Sequence, residues 1–394
     1  MMVTFTFVEI SILPGIGVYF MIHLNTDWLY ILFVALVVCA GIQLVYYWMF
    51  FRRLAFFKSQ ERNAPNQPVS IVICAKNEAI RLRKYLTAVL EQAYPQYEVI
   101  VVNDCSWDES SEYLEEMAKQ YPHLKVVEIK EQEKYRHGKK FALTLGIKAA
   151  KYDLLLMTDA DCLPVSKNWL SLMQRNFVPG TEIVLGYGAY QKAPGFLNRL
   201  IRYDTFAIAV QYLSAAVGHG AYMGVGRNLS YRKSVFFRSK GFAKHNHILS
   251  GDDDLFVNEN TTKENTMIEI SPESFTVSEP KTTFSSWFAQ KRRHMSTAKH
   301  YKFSHQLMLL INSLSLFMFF ALFITLLVLQ YDWRILLSLY GILIITRFPI
   351  VFMNGKKLNE KDLVWMYPLL EFMHAFLQPV FYIANLVSKQ KSWK

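Results

Sequence analysis

Apolar and polar positions divide the chain into three parts. From Trp28 to Phe51 no charged residue occurs in 24 positions, and Arg52 and Arg53 follow at once. At about 1.5 Å per residue this stretch covers a hydrocarbon layer of roughly 30 Å. A second uncharged stretch runs from Gln306 to Gln330. Two weaker ones follow: Ile335 to Met353 holds Arg347 and Pro349, and Leu363 to Val387 holds Pro368, Glu371, His374 and Pro379. The first two are expected to span a membrane. A re-entrant hairpin or an interfacial helix explains the prolines and the acid of the others equally well. Residues 1–24 are apolar but interrupted by Glu9, Pro14 and Gly15, with no basic leader or small-residue cleavage site, and stay unassigned.

Between about residues 54 and 300 the period changes. "VSIVICA" (69–75), "YEVIVVND" (97–104), "LKVVEI" (124–129) and "DLLLMTD" (153–159) are short β-rich runs separated by helix-like segments, the pattern of a doubly wound α/β sheet. Ligands of such sheets bind beyond the carboxyl ends of the strands. Those loops carry Asn77 and Glu78, then Asp104, then the pair Asp159 and Asp161. "SWDE" reads as a capping box from Ser106 to Glu109 that opens a helix through Met117, which makes Ser106 and Asp108 candidates for a purely structural role.

No dinucleotide glycine pattern follows the first strand, no Gly-rich lysine loop is present, and "GVGRN" at 224–228 is only a G-x-G. Two carboxylates cannot neutralise a phosphate unless a divalent cation stands between them. Asp159 and Asp161, one residue apart at a strand tip, suit that task, although paired aspartates are also common in surface turns. Two further motifs raise the stakes. "SGDDDLFVN" holds Asp252, Asp253 and Asp254, whose mutual repulsion calls for a cation or a raised pKa; a carboxylate so raised can act as a general base. "QKRRH" (290–294) lies among Trp287, Phe288, Met295 and Tyr301 just before an apolar stretch, and reads as an interfacial amphipathic helix in which one arginine faces the site while its neighbours face headgroups. "FLNRLIRYDTFAIAVQYL", within 195–232, also reads as amphipathic, lying at the membrane or against an acceptor.

Composition sharpens this. The 394 residues are 52% hydrophobic and 19% charged, with a net charge of +11. That charge suits anionic lipid and a phosphorylated substrate. Nucleic acid is the rival partner, but no basic run with interleaved aromatics or binding module supports it, so none is expected. Cys39, Cys74, Cys105 and Cys162 show neither pairing nor metal spacing and read as small packing residues.

With these residues on the page, the chain resembles the family 2 glycosyltransferases, in the membrane-integrated group that includes cellulose, chitin and hyaluronan synthases. The resemblance covers about residues 66–300 and, in architecture, the flanking spans. It implies an α/β GT-A (Rossmann-like) nucleotide-sugar domain between N-terminal and C-terminal transmembrane helices. It assigns Asp104 to the nucleotide base, with Ala75 and Glu78 in the same pocket, Lys139 near the base and diphosphate, and Asp159 and Asp161 to Mg²⁺ or Mn²⁺. "GDDDLFVN" is similar to the hyaluronan synthase G-D-D-R-x-L pattern, which makes Asp253 the base; a cellulose synthase register would choose Asp252. Gln290 and Arg293 match Q-x-x-R-W, but His294 stands where tryptophan is expected, which puts processive polymerisation in doubt. "GHGAYMGVGRNLSYRK" (218–233) aligns with a small-residue strand shaping the acceptor pocket, where Gly224 and Gly226 would allow close approach of a sugar and His219 and Arg227 could contact the acceptor.

The expected organisation is an N-terminal membrane segment over 1–53, a cytosolic catalytic domain over 54–282, an interfacial helix over 283–303, and a C-terminal membrane region over 304–394 with two to three spans. Basic Arg52, Arg53, Lys356, Lys357 and Lys361 put the domain on the cytosolic face, of a bacterial cell membrane by this reading. A third C-terminal span would put the basic tail "SKQKSWK" on the other face, against that tendency. The expected function is inverting transfer of a sugar from a nucleoside-diphosphate sugar to a lipid or saccharide acceptor. Two alternatives stand: a membrane scaffold or transporter subunit that binds nucleotide-sugar without catalysis, and a haloacid-dehalogenase-type phosphatase. The latter also uses D-x-D after an apolar strand, though with Thr or Val where Leu163 stands.

Overall fold

The computed structural model describes residues 6–13, 16–22, 26–59, 65–130, 138–248 and 250–387. The basic tail therefore lies outside the described residues. The chain begins with an antiparallel pair, β1 (Thr6–Leu13) and β2 (Ile16–Ile22), where no assignment was made from sequence. Helix α1 (Thr26–Val45) then continues through a π-helical turn, Tyr46–Phe51, into α2 (Arg52–Phe56).

The α/β domain follows as β3 (Val69–Ala75), α3 (Ala79–Leu90), β4 (Tyr97–Asp104), α4 (Ser110–Gln120), β5 (Leu124–Ile129), α5 (Lys139–Ala149), β6 (Leu154–Asp159), β7 (Cys162–Pro164), α6 (Trp169–Gln174), β8 (Ile183–Leu185) and β9 (Gly188–Tyr190). It continues with α7 (Phe196–Val217), β10 (Leu229–Arg232), α8 (Lys233–Arg238), α9 (Asp254–Asn260), β11 (Thr266–Ile268), β12 (Thr276–Ser278) and α10 (Phe284–Met295). Seven strands form a mixed sheet in the order β11-β8-β10-β6-β3-β4-β5, and β7-β12-β9 form a second sheet. Each residue of β3 is buried, as a run without alternating polar positions requires of a central parallel strand.

Register positions the site. In the parallel pairs, Cys74 lies opposite Asp159 and Ala75 opposite Asn103, so the ends of β3, β4 and β6 form one edge. Asp159 is the last residue of β6 in the large sheet and Cys162 the first of β7 in the small one, so the aspartate pair occupies the corner between them.

Three C-terminal helices follow: α11 (Phe303–Val328), α12 (Trp333–Lys357) and, after the short α13 (Lys361–Val364), α14 (Tyr367–Val387). With the N-terminal helix they make four helices, among the described residues, long and apolar enough to cross a membrane. The acid that argued against a span in the last segment is neutralised within the bundle. Arg347 of α12 meets Glu371 of α14 at 2.9 Å, and the Tyr47 and Tyr367 hydroxyls donate to the same carboxylate at 3.0 and 3.1 Å. Pro349 and Pro379 lie inside continuous helices.

Three local readings are corrected. The Ser106–Glu109 box does not form: α4 starts at Ser110 and runs to Gln120, past Met117. Asp108 is the capping group, accepting from the Ser110 amide at 3.1 Å and from the Ala79 amide at the start of α3 at 3.0 Å. Ser106 instead bonds the Asn77 amide and Asn103. Helix α7 is not an amphipathic surface helix, because side chains on all its faces are buried, Arg202 included; that guanidinium pairs with Glu360 and, at 2.7 Å, with Asp362. Of the 218–233 segment only Leu229–Arg232, β10, is a strand, and Gly224 and Gly226 lie in the irregular stretch before it.

Candidate functional site

The centre of the site is a cation held among acids. Lys139, first residue of α5, places Nζ 3.0 Å from Asp159 Oδ1 and 3.0 Å from Asp252 Oδ2. Although burial opposes it, these carboxylates and Asp253 hold the ammonium well above its ordinary pKa. Lys139, Asp159, Gly226, Asp252 and Asp253 line one small pocket.

Ligand atoms of Asp159, Asp161 and Cys162 lie within 4.8 Å of one another. Burial, and then the Asp161 and Asp159 charges, push the Cys162 thiol up, so sulfur stays protonated and bonds Ser278 Oγ at 3.0 Å. That leaves two carboxylates, which match a hard divalent cation such as Mg²⁺ or Mn²⁺ rather than a thiophilic one. Burial and then the neighbouring Asp159 raise Asp161, a repulsion that such a cation relieves.

The three successive aspartates have separate environments. Burial favours neutral Asp252, but Lys139 outweighs it and holds the group below the usual carboxylate range. Asp253, half-exposed, caps α9: Oδ1 accepts from the Asp254 amide at 2.8 Å, and Oδ2 from the Gly226 amide at 2.7 Å. Burial, Asp252 and Asp254 push it up to about 7, against Lys139 and the Gly226 amide. Asp254 turns away from the site and accepts from Thr297 and, at 2.7 Å, from the Tyr301 hydroxyl, tying the acidic loop to the segment after α10.

Helix α10 carries the QKRRH motif, but its cations do not face headgroups as the sequence suggested. Lys291 is buried in an ion pair with Asp204 of α7 at 2.7 Å. Arg292 donates to the Ala384 carbonyl at 2.7 Å and to Asn385 Oδ1 at 3.2 Å, both on α14. Gln290 donates to the Tyr190 hydroxyl at 3.2 Å, and the Arg227 guanidinium lies 4.3 Å from the centre of the Tyr190 ring. Arg293 is half-buried on the same helix. Desolvation, then the charges of Arg293, Lys291, Lys139 and Arg227, hold His294 down to about 3. The end of α10 thus reaches the acid cluster.

At the other end of the strand edge Asp104 is 0% exposed, and neither carboxylate oxygen has a hydrogen-bond partner. Buried carboxylates are ordinarily bonded, so two open oxygens set this one apart. Ala75 is buried beside it at the end of β3, and Glu78 pairs with Arg81 at 2.6 Å. His219 stands apart, exposed at the end of α7 and bonded to the Lys263 carbonyl at 2.6 Å. Sequence reasoning missed Tyr190 and Thr297 and read Tyr301 only as part of an amphipathic face; all three matter through their tertiary partners.

A family model described as glycosyl transferase family 2 matches residues 70–237. The probable glycosyltransferase YdaM of Bacillus subtilis is 25% identical over 282 residues, which cover 70% of this chain and 64% of that protein. Poly-beta-1,6-N-acetyl-D-glucosamine synthase of Staphylococcus epidermidis is 32% identical over 111 residues, 28% of this chain and 25% of the synthase. The chain thus matches less than two thirds of the length of these relatives. Among solved structures, a mannosyltransferase from Pyrobaculum calidifontis, in complex with GDP-Man and Mn²⁺, shares the fold with a TM-score of 0.57 at 18% identity, over 88% of this chain and 99% of that one. These matches set aside the phosphatase reading. Residues 70–237 thus match the family 2 glycosyltransferases, within a domain of the GT-A fold that is flanked by apolar helices.

Proposed function

We propose that this protein is an inverting glycosyltransferase that moves a sugar from a nucleoside-diphosphate sugar to a hydroxyl acceptor at the cytosolic face of a membrane. The observation that carries this reading is the convergence of Lys139, Asp159 and Asp252 within 3.0 Å contacts, with Asp253 fixed beside them by two backbone amides. Asp104 receives the donor's base, because a buried carboxylate without a partner favours the paired N–H groups of a nucleobase. Mg²⁺ or Mn²⁺ held by Asp159 and Asp161 supplies positive charge to the diphosphate leaving group.

The remaining chemistry belongs to the chain. The two amides orient Asp253 so that it takes the proton of the acceptor hydroxyl, and a pKa near 7 lets it do so close to neutral pH. The freed alkoxide attacks the anomeric carbon opposite the diphosphate, breaking the bond to the leaving oxygen and inverting the centre. Lys139 and Arg293 stabilise the charge that grows there. Asp252, held ionised by Lys139, is a poorer base than Asp253, which favours the hyaluronan synthase register. Arg52, Arg53, Lys356, Lys357 and Lys361 support a cytosolic site through the positive-inside tendency.

The test is a screen of the full chain in membranes against a panel of UDP- and GDP-sugars with Mn²⁺, followed by identification of the labelled product. Transfer from one donor, lost on chelation, is expected. Donor binding with no turnover on any acceptor, and no hydrolysis, would favour the non-catalytic scaffold.

A further inference from the structure

Two segments distant in sequence, 243–248 and 297–302, meet on the surface beside the first turn of α11, one of the helices long enough to cross a membrane. His247 and His300 form the contact, with ring centres 6.4 Å apart. Lys244, His247, Lys299, His300 and Lys302 are all exposed there, and none of them lines the pocket that holds Lys139 and Asp253. Lys244 lies 3.8 Å from Glu259, whereas Lys299 and Lys302 have no ion-pair partner among the described residues. The patch therefore carries surplus positive charge. Lysines immediately before a membrane helix attract anionic headgroups, each adding about five-fold in affinity.

The helix continues the patch with apolar surface. Phe303 is 78% exposed, and Leu307, Leu310, Ile311 and Leu314 follow it, also exposed, at helical spacings of three and four residues. From Phe303 to Leu314 this face runs roughly 16 Å at about 1.5 Å per residue, the depth of one leaflet of a hydrocarbon layer of roughly 30 Å. A phosphate at Lys299 and Lys302 thus has room for an acyl chain directly below it.

The inner side of the same segment reaches the acid loop. Thr297 and Tyr301 both donate to Asp254, next to Asp253. The Lys302 amide donates to Asn258 Oδ1 at 2.9 Å, on the helix that Asp253 caps. Residues 297–302 therefore turn hydroxyls towards the acids and ammonium groups towards the outside.

We propose that this face binds an anionic phospholipid of the bilayer, its phosphate against Lys244, Lys299 and Lys302 and an acyl chain along α11, and that the bound lipid steadies the acid loop for transfer. The lipid is a partner that is not consumed. The second half of the proposal rests on the glycosyl-transfer reading.

The test is equilibrium binding of labelled dioleoylphosphatidylglycerol and labelled dioleoylphosphatidylcholine to the full chain in detergent, with glycerol phosphate and inorganic phosphate as competitors. Phosphatidylglycerol should bind at least ten-fold more tightly than phosphatidylcholine. Lys299→Gln with Lys302→Gln should weaken it about twenty-fold. Lys119→Gln with Lys148→Gln, which removes the same charge from exposed positions of α4 and α5, should bind like the wild type. In nanodiscs, transfer should rise at least three-fold as phosphatidylglycerol replaces phosphatidylcholine, and the Lys299/Lys302 variant should lose that rise. The binding site is overturned if the two lipids bind alike, or if the control pair loses as much affinity as the site pair. Binding of either soluble phosphate as tightly as the lipid also overturns it, because the site is then one for free phosphate. Transfer that ignores the lipid in the wild type overturns the coupling to the acid loop. Absence of transfer from any nucleotide-sugar in either lipid removes the transferase reading and leaves the binding result standing.

Discussion

Lys291 Nζ lies 2.7 Å from Asp204 Oδ2, with both side chains removed from water, so the helix bearing Gln290 and Arg293 is anchored to the core of the catalytic domain. Removing one partner of such a buried pair strands the other charge, at a cost of about 3–5 kcal/mol. Lys291→Met should therefore lower the melting temperature sharply and slow transfer. The double variant Lys291→Met with Asp204→Leu should recover much of the stability. If the single variant melts like the wild type, the anchor is not there.

The pH dependence follows from Asp253. With a carboxyl pushed up to about 7, the group is a proton acceptor only above that pH, so transfer should rise as pH climbs through about 7. Asp254 contributes a like charge that raises Asp253. Asp254→Asn removes it, and the acidic limb of kcat/KM should move to lower pH. A limb that stays in place or moves upward contradicts the assignment.

Lys139 competes with any cation for Asp159. Lys139→Gln removes the ammonium that bridges Asp159 and Asp252, so Mn²⁺ should bind the nucleotide-free protein more tightly in the variant. The same change removes a charge-assisted partner of the diphosphate, so donor affinity should fall about ten-fold or more. Calorimetric titration of Mn²⁺ and of donor separates these opposite signs.

Asp104 offers an experiment on stability and binding together. A buried carboxylate with two unpartnered oxygens destabilises the unliganded chain, by roughly 1–3 kcal/mol for the unmet hydrogen bonds. Asp104→Ala should leave the melting temperature unchanged or raise it, while nucleoside diphosphate no longer stabilises the protein. A variant that is less stable when free of nucleotide would mean the carboxylate has a structural partner.

The catalytic half of the fold was largely readable because its strands are local statements: Val69–Ala75 and Tyr97–Asp104 are continuous apolar β-branched runs ending at turn residues. Strands β8 to β12 hold three or four residues each and exist through their partners, so no period within them could disclose the second sheet. Charge patterns misled where the partner was distant. Lys291 and Arg202 read as surface cations until Asp204, Glu360 and Asp362 are brought against them. Likewise Glu371 argued against a span because Arg347, one helix away, was not visible as its counter-charge.

The most direct test of the central claim is single-turnover transfer by Asp253→Asn, with donor affinity measured on the same preparation. With Asp253 as the base, the rate should fall by about 10²–10⁴-fold while donor binding stays within two-fold of the wild type. Transfer at the wild-type rate would contradict it.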